Sequence, residues 1–265
     1  MKSVEPIVIK LGETRLDAGA MAQLLGHFGV SDVGGAAFMV KEERNSGETL
    51  IELAGRMCYR SFEVGLNPNV TKIRADSEEY FTNILKKGDG SILEHIQVSF
   101  AFLNVSRVFT HELVRHRVGV AISQESLRYV RPKELGLWLP EVLSPGQRAT
   151  MEGFVNQAEK VYKVLEESVD WADVSFDQKK VMTSAFRRIL PDGMATNVIW
   201  SANLRTLRHV IEMRTDPAAE IEIRIVFDQV AQICKRDYPL VFQDFERKEL
   251  PDGTGQWKPS LRSKV

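Results

Sequence analysis

Three basic residues in a row, Arg115-His116-Arg117, are followed closely by a polar stretch over residues 123–129. Cations at a helix C-terminus are favourable for dipole reasons, so an isolated cluster of this kind is most often structural. The polar stretch argues against that interpretation here. Its hydroxyl, amide and guanidinium groups together suit a phosphate, a sugar hydroxyl and a base edge. This region is the first candidate for a nucleotide site.

A second basic cluster occupies residues 203–214. Arg205 and His209 are four positions apart, so they share one face of a helix. Arg214 lies nine positions after Arg205, a rotation of about 900°, and points to the opposite side. Taken alone, this pattern is more often a solvated basic face. It would also allow one helix to serve two subsites or to face two subunits.

Several common catalytic constellations are absent from the sequence. His111 and His116 resemble a zinc-protease helix, but they are five positions apart, whereas two ligands on one helical face need a spacing of four. The chain has no GxSxG, GxxxxGK[ST] or GxGxxG motif. Cys58 lies in an apolar helical pattern that is typical of a buried structural thiol. We therefore expect no metal site and no cysteine nucleophile.

The elements that must position these residues are mainly helices. Apolar spacing and capping residues predict helices over residues 16–28, from about 48, 77–87, 107–117, from 144, from 175 to 190, 204–214 and 219–236. A capping-box pattern at residues 91–94 predicts a short helical turn. Alternating apolar residues predict a strand over 97–102, and a second strand is expected at 196–200. Because strands and helices do not alternate regularly, we expect an α+β fold, a single helix-rich domain with a small central sheet.

Composition places the chain among ordinary globular proteins. It has 265 residues, of which 43% are hydrophobic, and a net charge of −1. That charge does not favour a general nucleic-acid binder. Two cysteines cannot form a disulfide framework and fit a reducing compartment. With no signal-peptide or membrane-span pattern, we expect a cytoplasmic protein that contacts no membrane.

At the two basic clusters the sequence resembles the flavin-dependent thymidylate synthases, the ThyX family. Arg115-His116-Arg117, eight intervening residues, Ser126 and then Arg128-Tyr129 are similar to the family hallmark. Further segments follow the family order, namely Gly90-Ser91, Glu94-His95, Val105-Ser106-Arg107, residues 110–114, Leu190-Pro191, Asn203-Leu204-Arg205, His209 and Met213-Arg214. The resemblance covers residues 48–239. It implies a domain over residues 47–248, an N-terminal extension over 1–46 and a C-terminal tail over 249–265.

The resemblance implies reductive methylation of dUMP to dTMP. Methylenetetrahydrofolate would give the one-carbon unit, and NADPH would reduce a bound FAD that supplies the hydride. Members are homotetramers with active sites shared between subunits, which suits the opposed faces of Arg205 and Arg214. We expect Arg214 to be the catalytic residue, because a fixed cation near N3 of uracil favours the N3-deprotonated ring.

The binding residues are also carried over from the resemblance. The expected flavin contacts are Ser91, Arg115, His116, Arg117, Gln124, Asn203, Leu204, Arg205 and His209. The expected dUMP contacts are Glu112, Leu113, Val114, Arg115, Gln124, Glu125, Ser126, Leu127, Arg128, Arg187 and Arg214.

Four features depart from the family pattern or vary within it. The eight-residue gap between Arg117 and Ser126 is the longer variant, and Gln124 stands where some members have glutamate. Asp89 stands where members usually carry histidine. Glu112 replaces the common glutamine, and its carboxylate needs a neutralising cation, Arg115 or another. Two alternatives stay open on the residues alone: a non-catalytic nucleotide or nucleic-acid binding protein, and a helical scaffold with surface arginines.

Overall fold

The computed structural model describes residues 1–30 and 45–261. It confirms an α+β fold with a small central sheet. The helices are α1 (Ala18–His27), α2 (Ser46–Met57), α3 (Ser77–Lys87), α4 (Arg107–Leu113), α5 (Pro145–Glu167), α6 (Phe176–Phe186), α7 (Leu204–Arg214) and α8 (Ile221–Asp237), with 3₁₀ turns at Gly90–His95 and Arg187–Ile189. The strands are β1 (Lys2–Ser3), β2 (Ile7–Glu13), β3 (Gln97–Ser106), β4 (Val120–Gln124), β5 (Gly136–Leu137), β6 (Ala195–Asn203), β7 (Phe245–Glu249) and β8 (Gly255–Pro259).

Four antiparallel strands form the central sheet in the order β2-β3-β6-β4. The expected strand at 97–102 continues to Ser106, because a register shift after Phe102 lets the pairing with β6 resume. Asn104 has a positive φ of 59° within this irregularity. Such a bulge bends the strand without ending it, so the alternation of the first six residues underestimates its length.

One face of the sheet packs on α7 and α8 to form the main core. Phe100, Phe102 and Trp200 are fully buried there together with Phe227 of α8. The rings of Trp200 and Phe227 meet edge to face, with centroids 5.7 Å apart. This packing holds α7, which carries the second basic cluster, against the centre of the sheet.

The chain termini are more structured than the sequence predicts. Residues 7–13, within the expected N-terminal extension, form strand β2, which pairs with β3. Residues 255–259, within the expected C-terminal tail, form β8, which pairs with β7 and buries Trp257 in the main core. The sequence did not predict these strands, because their pairing partners are not apparent from local patterns. Residues 31–44 of the expected extension lie outside the described residues.

Helix α4 is shorter than expected and is followed by a strand that the sequence did not predict. It ends at Leu113 instead of Arg117. Strand β4 then pairs with β6, from Val120↔Ala202 to Gln124↔Val198. The chain must turn back to reach that edge of the sheet, and the helix cannot continue through the turn.

Among residues 1–30 and 45–261, no helix combines the length and apolar character needed to cross a bilayer.

Candidate active site

The Arg115-His116-Arg117 segment lies in a turn between α4 and β4. The backbone N–H of Arg115 donates to the Glu112 carbonyl at 3.3 Å, and that of His116 donates to the Leu113 carbonyl at 3.1 Å. Gly119 follows with a φ of 67°, a left-handed conformation in which side chains are strained. The helical-wheel separation expected for the two arginines therefore does not apply. The turn sets their directions.

This turn is fastened to the start of α7. The Asn203 N–H donates to the Gly119 carbonyl at 3.1 Å, and the Thr206 hydroxyl donates to the Val118 carbonyl at 2.9 Å. A Cβ on Gly119 would collide with the Asn203 and Thr206 side chains. Asn203 also caps α7, since its Oδ1 accepts the Thr206 N–H at 2.8 Å, as its sequence position predicts. A glycine is thus required for the two basic clusters to meet.

Between the two clusters lies a cavity of about 380 Å³, here called the RHR cleft. It is lined by Glu94, Arg115, His116, Arg117, Val118, Asn203, Arg205, Thr206, Arg208, His209 and Val210. Six of the nine expected flavin contacts are in this set, namely Arg115, His116, Arg117, Asn203, Arg205 and His209. The structure therefore brings together segments that are almost 90 positions apart in the sequence.

The RHR cleft is strongly cationic. The guanidinium groups of Arg115 and Arg117 are exposed and form no ion pair with any described residue. Arg205 pairs with Glu94 at 2.6 Å, but both side chains are more than 40% exposed, so this pair stabilises the fold little. The amino end of α7 adds its partial positive charge. The cleft is suited to an anion such as a diphosphate.

His116 is held as a neutral base beside Arg214. It is 9% exposed, and its Nε2 accepts a hydrogen bond from Nε of Arg214 at 2.7 Å. Burial, Arg214 and His209 lower the pKa of His116 to about 4. Because Nε2 is the acceptor, the ring proton is on Nδ1. The ring centroid lies 6.3 Å from that of His209, so His116 lies between His209, an expected flavin contact, and Arg214.

Glu112 holds the guanidinium of Arg214 from the other side. Its carboxylate accepts from Arg214 at 2.6 Å, and its backbone carbonyl accepts a second bond at 3.2 Å. The Arg214 side chain is only 15% exposed. The cation that neutralises Glu112 is therefore Arg214, not Arg115. With His116, three acceptors fix the plane of the guanidinium.

Several other expected residues do not line the RHR cleft. Ser91 lines a separate cavity of about 460 Å³, together with Asp89 and Cys58. Gln124 and Glu125 lie at the end of β4, where the Asn197 amide donates to the Glu125 carboxylate at 2.8 Å. Arg128 lines a third cavity, which contains neither Arg115 nor His116.

The expected contacts differ in whether their side chains are exposed enough to touch a ligand. Leu113, Leu127 and Leu204 are at most 6% exposed and belong to the apolar clusters of the protein. Any ligand contact they make must come from the main chain. Val114, in contrast, is 43% exposed. Ser126 accepts the Arg128 N–H at 3.3 Å, which shapes the turn after β4.

Sequence reasoning missed some residues of this region. Glu94 and Thr206 line the RHR cleft, and Gly119 permits the turn that joins the two basic clusters. Arg107 was also missed. Its Nε is buried with no hydrogen-bond partner among the described residues, and burial with the nearby charge of Arg187 lowers its pKa. The only sequence signal for Arg107 was its nearness to the basic cluster.

Within the described ranges no three side chains are arranged to hold a metal ion.

Comparison with known proteins identifies the family. A family model described as thymidylate synthase complementing protein matches residues 40–240. This is well over half of the chain. The chain belongs to this family. The resemblance drawn from the motifs is confirmed.

Curated relatives of the family support the same assignment. A protein of Corynebacterium efficiens named flavin-dependent thymidylate synthase is 32% identical over 218 residues, which is 80% of this chain and 85% of the relative. Proteins with that name from Corynebacterium diphtheriae and Mycobacterium tuberculosis are 32% and 33% identical, over 83% and 80% of this chain and 87% and 85% of the relatives. These relatives are named as synthases, so the prediction that the chain is an enzyme is confirmed.

Proposed function

We propose that this enzyme converts dUMP to dTMP, using methylenetetrahydrofolate as the one-carbon donor and an FAD reduced by NADPH as the source of the hydride. The observation that carries the proposal is the RHR cleft. Cationic, polar and imidazole groups from two distant segments converge there next to a fixed arginine. The names of the relatives support the flavin and the thymidylate product.

The residues of the RHR cleft fit a dinucleotide. Arg115, Arg117 and Arg205 would bind the diphosphate of FAD, because guanidinium groups form paired charge-assisted hydrogen bonds with phosphate oxygens. Asn203 and His209, on the α7 side of the cleft, would bind polar groups of FAD outside the diphosphate. When bound, the flavin supplies the redox chemistry, while the protein orients it.

Arg214 would activate the uracil ring. A positively charged guanidinium can stabilise the anion formed when N3 loses its proton. That anion makes the ring richer in electrons at the carbon that receives the one-carbon unit. Glu112 and neutral His116 would keep the guanidinium oriented, since each accepts a hydrogen bond from a different nitrogen of Arg214.

No cysteine near the RHR cleft competes for this role. Cys234 is fully buried, and burial raises the pKa of its thiol. Cys58 is exposed, so the expectation that it is buried was wrong. It lines the other cavity, where its thiol lies 3.5 Å from the Ala54 carbonyl. Electrostatic activation by Arg214 therefore accounts for the chemistry without a covalent enzyme–substrate bond. The free thiols also support a reducing compartment, and we place the enzyme in the cytoplasm.

The phosphate of dUMP would be held by Ser126, Arg128 and Arg187. Arg128 lines a cavity that shares no residue with the RHR cleft. This separation supports an active site completed by residues of different subunits, as in the homotetramer that we propose.

An uncovered face of the central sheet supports the same assembly. Ile9, Ala101, Ile199 and Ser123 are aligned across the four strands on the face opposite the main core. Ile9 and Ile199 are 43% and 49% exposed, and Ile7 and Leu11 next to them are exposed as well. Apolar side chains grouped on an open sheet are typical of a subunit interface.

The proposed function is tested by the visible absorption spectrum of the purified protein, recorded anaerobically. We expect a flavin spectrum, directly or after incubation with FAD, that bleaches on addition of NADPH and bleaches faster with dUMP. Arg117→Met should weaken FAD binding. Arg236→Met should not, because Arg236 lies at the end of α8, is 70% exposed and does not line the RHR cleft. A protein that stays colourless with FAD would contradict the proposal and leave the non-catalytic nucleotide-binding alternative.

A further inference from the structure

The centre of α7 is held by the segment that follows α8. Arg208 is 2% exposed, and its guanidinium forms two hydrogen bonds with the Asp244 carboxylate, at 2.7 and 2.9 Å. It also donates to the Val241 carbonyl at 2.5 Å. The family match ends at residue 240, so these partners belong to a part of the chain beyond it. We call residues 241–259 the C-terminal clamp.

The clamp also holds the end of α7, next to Arg214. Thr215 is fully buried and caps the helix, with its hydroxyl donating to the Ile211 carbonyl at 2.8 Å. The same oxygen accepts the backbone N–H of Trp257 at 2.9 Å. A hydroxyl can donate only one hydrogen bond. Thr215 donates it to Ile211 within α7 and accepts the bond from the clamp with a lone pair.

Trp257 is itself fixed to α8. Its indole N–H donates to the Asp228 carboxylate at 2.7 Å. The Gly255 N–H and the Arg247 guanidinium donate to the same carboxylate at 3.1 and 2.9 Å. Asp228 is 7% exposed, so these bonds lie away from solvent. The end of α7 is therefore tied to α8 through strand β8.

We infer that Thr215 and Trp257 are positioning residues for Arg214, an inference that rests on the proposed function. Glu112 and His116 orient the guanidinium, but the place of the Arg214 backbone depends on where α7 ends. Loss of the Thr215 hydroxyl would leave the Trp257 N–H buried without a partner. The last turn of α7 would then move to relieve it, and a displacement of about 1 Å at a reacting group can cost 100-fold in rate.

The test compares three threonine variants of the holoenzyme. Thr215→Val removes the hydroxyl while keeping the shape, and Thr215→Ser restores the hydroxyl. Thr254→Val is the matched control, because Thr254 is a buried threonine of the same clamp whose hydroxyl contacts Arg224 and Asp252 instead of α7. We expect kcat for dTMP formation to fall about 10-fold in Thr215→Val, with KM for dUMP changed less than about threefold. Thr215→Ser and Thr254→Val should stay within about twofold of the wild type.

A binding measurement separates positioning from general loss of stability. The ring fluorine of 5-fluoro-dUMP makes N3–H more acidic, so a correctly placed Arg214 should favour it over dUMP. Calorimetry on the holoenzyme without folate gives the ratio of the two dissociation constants. This preference should be lost in Thr215→Val and kept in Thr254→Val, even where both variants melt at a lower temperature.

Each outcome decides the inference. An unchanged preference and kcat in Thr215→Val would overturn it, and so would equal losses in Thr254→Val. If Thr215→Val does not fold, Gln256→Ala replaces it, since Gln256 donates from β8 to Asp216 at 3.2 Å. A two- to threefold loss of the preference for 5-fluoro-dUMP in Gln256→Ala would support the inference. An unchanged preference in this variant would overturn it. A wild-type protein that neither binds dUMP nor forms dTMP would instead contradict the proposed function.

Discussion

The exposed arginines of the RHR cleft and the buried arginines that bind the C-terminal clamp differ in burial and in partners. Arg115 and Arg117 are exposed and have no ion-pair partner among the described residues. Arg208 and Arg224 are 2% and 8% exposed and pair with Asp244 and Asp252. Burying an arginine requires a matched carboxylate, whereas binding an anionic ligand requires an arginine whose donors are still available. Helix α7 carries the buried Arg208 three residues after Arg205, a cleft arginine that is 44% exposed.

Arg214 lies between these two extremes. It is 15% exposed, and its partners Glu112 and His116 both belong to the active-site region. An arginine of this kind is oriented by the protein and is still partly exposed. The comparison therefore predicts that structural, orienting and ligand-binding arginines respond differently to the same substitution.

The largest expected effect is on stability, at Arg208. Arg208→Met would leave the Asp244 carboxylate, which is 1% exposed, without its cation. Breaking a buried ion pair by removing one partner costs about 3–5 kcal/mol. We expect the free energy of unfolding in urea to fall by that amount. Arg117→Met, the matched change in the cleft, should alter it by less than about 0.5 kcal/mol. Equal effects of the two changes would contradict the comparison.

The next effect is on turnover, at Arg214. Arg214→Ala should lower kcat about 100- to 1,000-fold, the usual cost of removing one group that stabilises a developing anion. FAD should stay bound, because the arginines expected at its diphosphate are untouched. Steady-state kinetics and the flavin spectrum of the same preparation give both results. Turnover close to that of the wild type would show that Arg214 is not the catalytic cation.

A smaller effect concerns pH and His116. Its pKa of about 4 in the folded protein lies below the ordinary value of 6.5, so the unfolded chain binds more protons between these pH values. The stabilisation from keeping His116 neutral is therefore complete above pH 6.5 and is lost as the pH falls toward 4. The loss is at most about 3 kcal/mol.

His116→Gln tests this pH dependence. We expect its unfolding free energy to fall less than that of the wild type between pH 6.5 and 4. Glu222 titrates in the opposite sense, because burial raises its pKa to about 7, and its contribution is lost as the pH rises through 7. The contribution of Glu222 is present in both the wild type and His116→Gln, so it cancels when their unfolding free energies are subtracted. Identical pH profiles would show that His116 is not held neutral by burial and Arg214.

The smallest effect is at the exposed ion pair of the cleft. Glu94→Gln removes the only carboxylate lining the described RHR cleft. Exposed ion pairs are worth about 0.2–1 kcal/mol, so FAD should bind up to about fivefold more tightly. Glu249→Gln removes a similarly exposed partner of Arg247 in the clamp and should leave FAD affinity unchanged. Titration followed by flavin fluorescence measures both, and weaker binding in Glu94→Gln would contradict the anion-binding role.

Local signals in the sequence predicted helices α3 and α7. Gly88 ends α3, and Asn203 caps α7, as their backbone and side-chain chemistry requires. Long-range pairing could not be predicted in this way. Strand β4 and the early end of α4 depend on the pairing with β6 and on the left-handed Gly119. The clamp depends on Thr215 meeting Trp257, 42 positions later.

The same division holds for the site. The family order of motifs predicted six residues of the RHR cleft, because each motif is local in sequence. The contacts that orient Arg214 required the structure, since Glu112 and His116 lie about 100 positions before it. The motifs suggested Arg115 as one possible cation for Glu112. Only the turn after α4 shows that Arg115 points elsewhere and that Arg214 takes this place.

The most direct test of the central claim is a single turnover without oxygen. The enzyme is reduced with one equivalent of NADPH, excess reductant is removed, and dUMP and methylenetetrahydrofolate are added together. We expect one dTMP to form for each flavin that is reoxidised. When dUMP is left out, we expect no dTMP and no reoxidation of the flavin. Flavin that stays reduced, or that reoxidises without dTMP, would contradict the claim that the RHR cleft holds the hydride source for thymidylate synthesis.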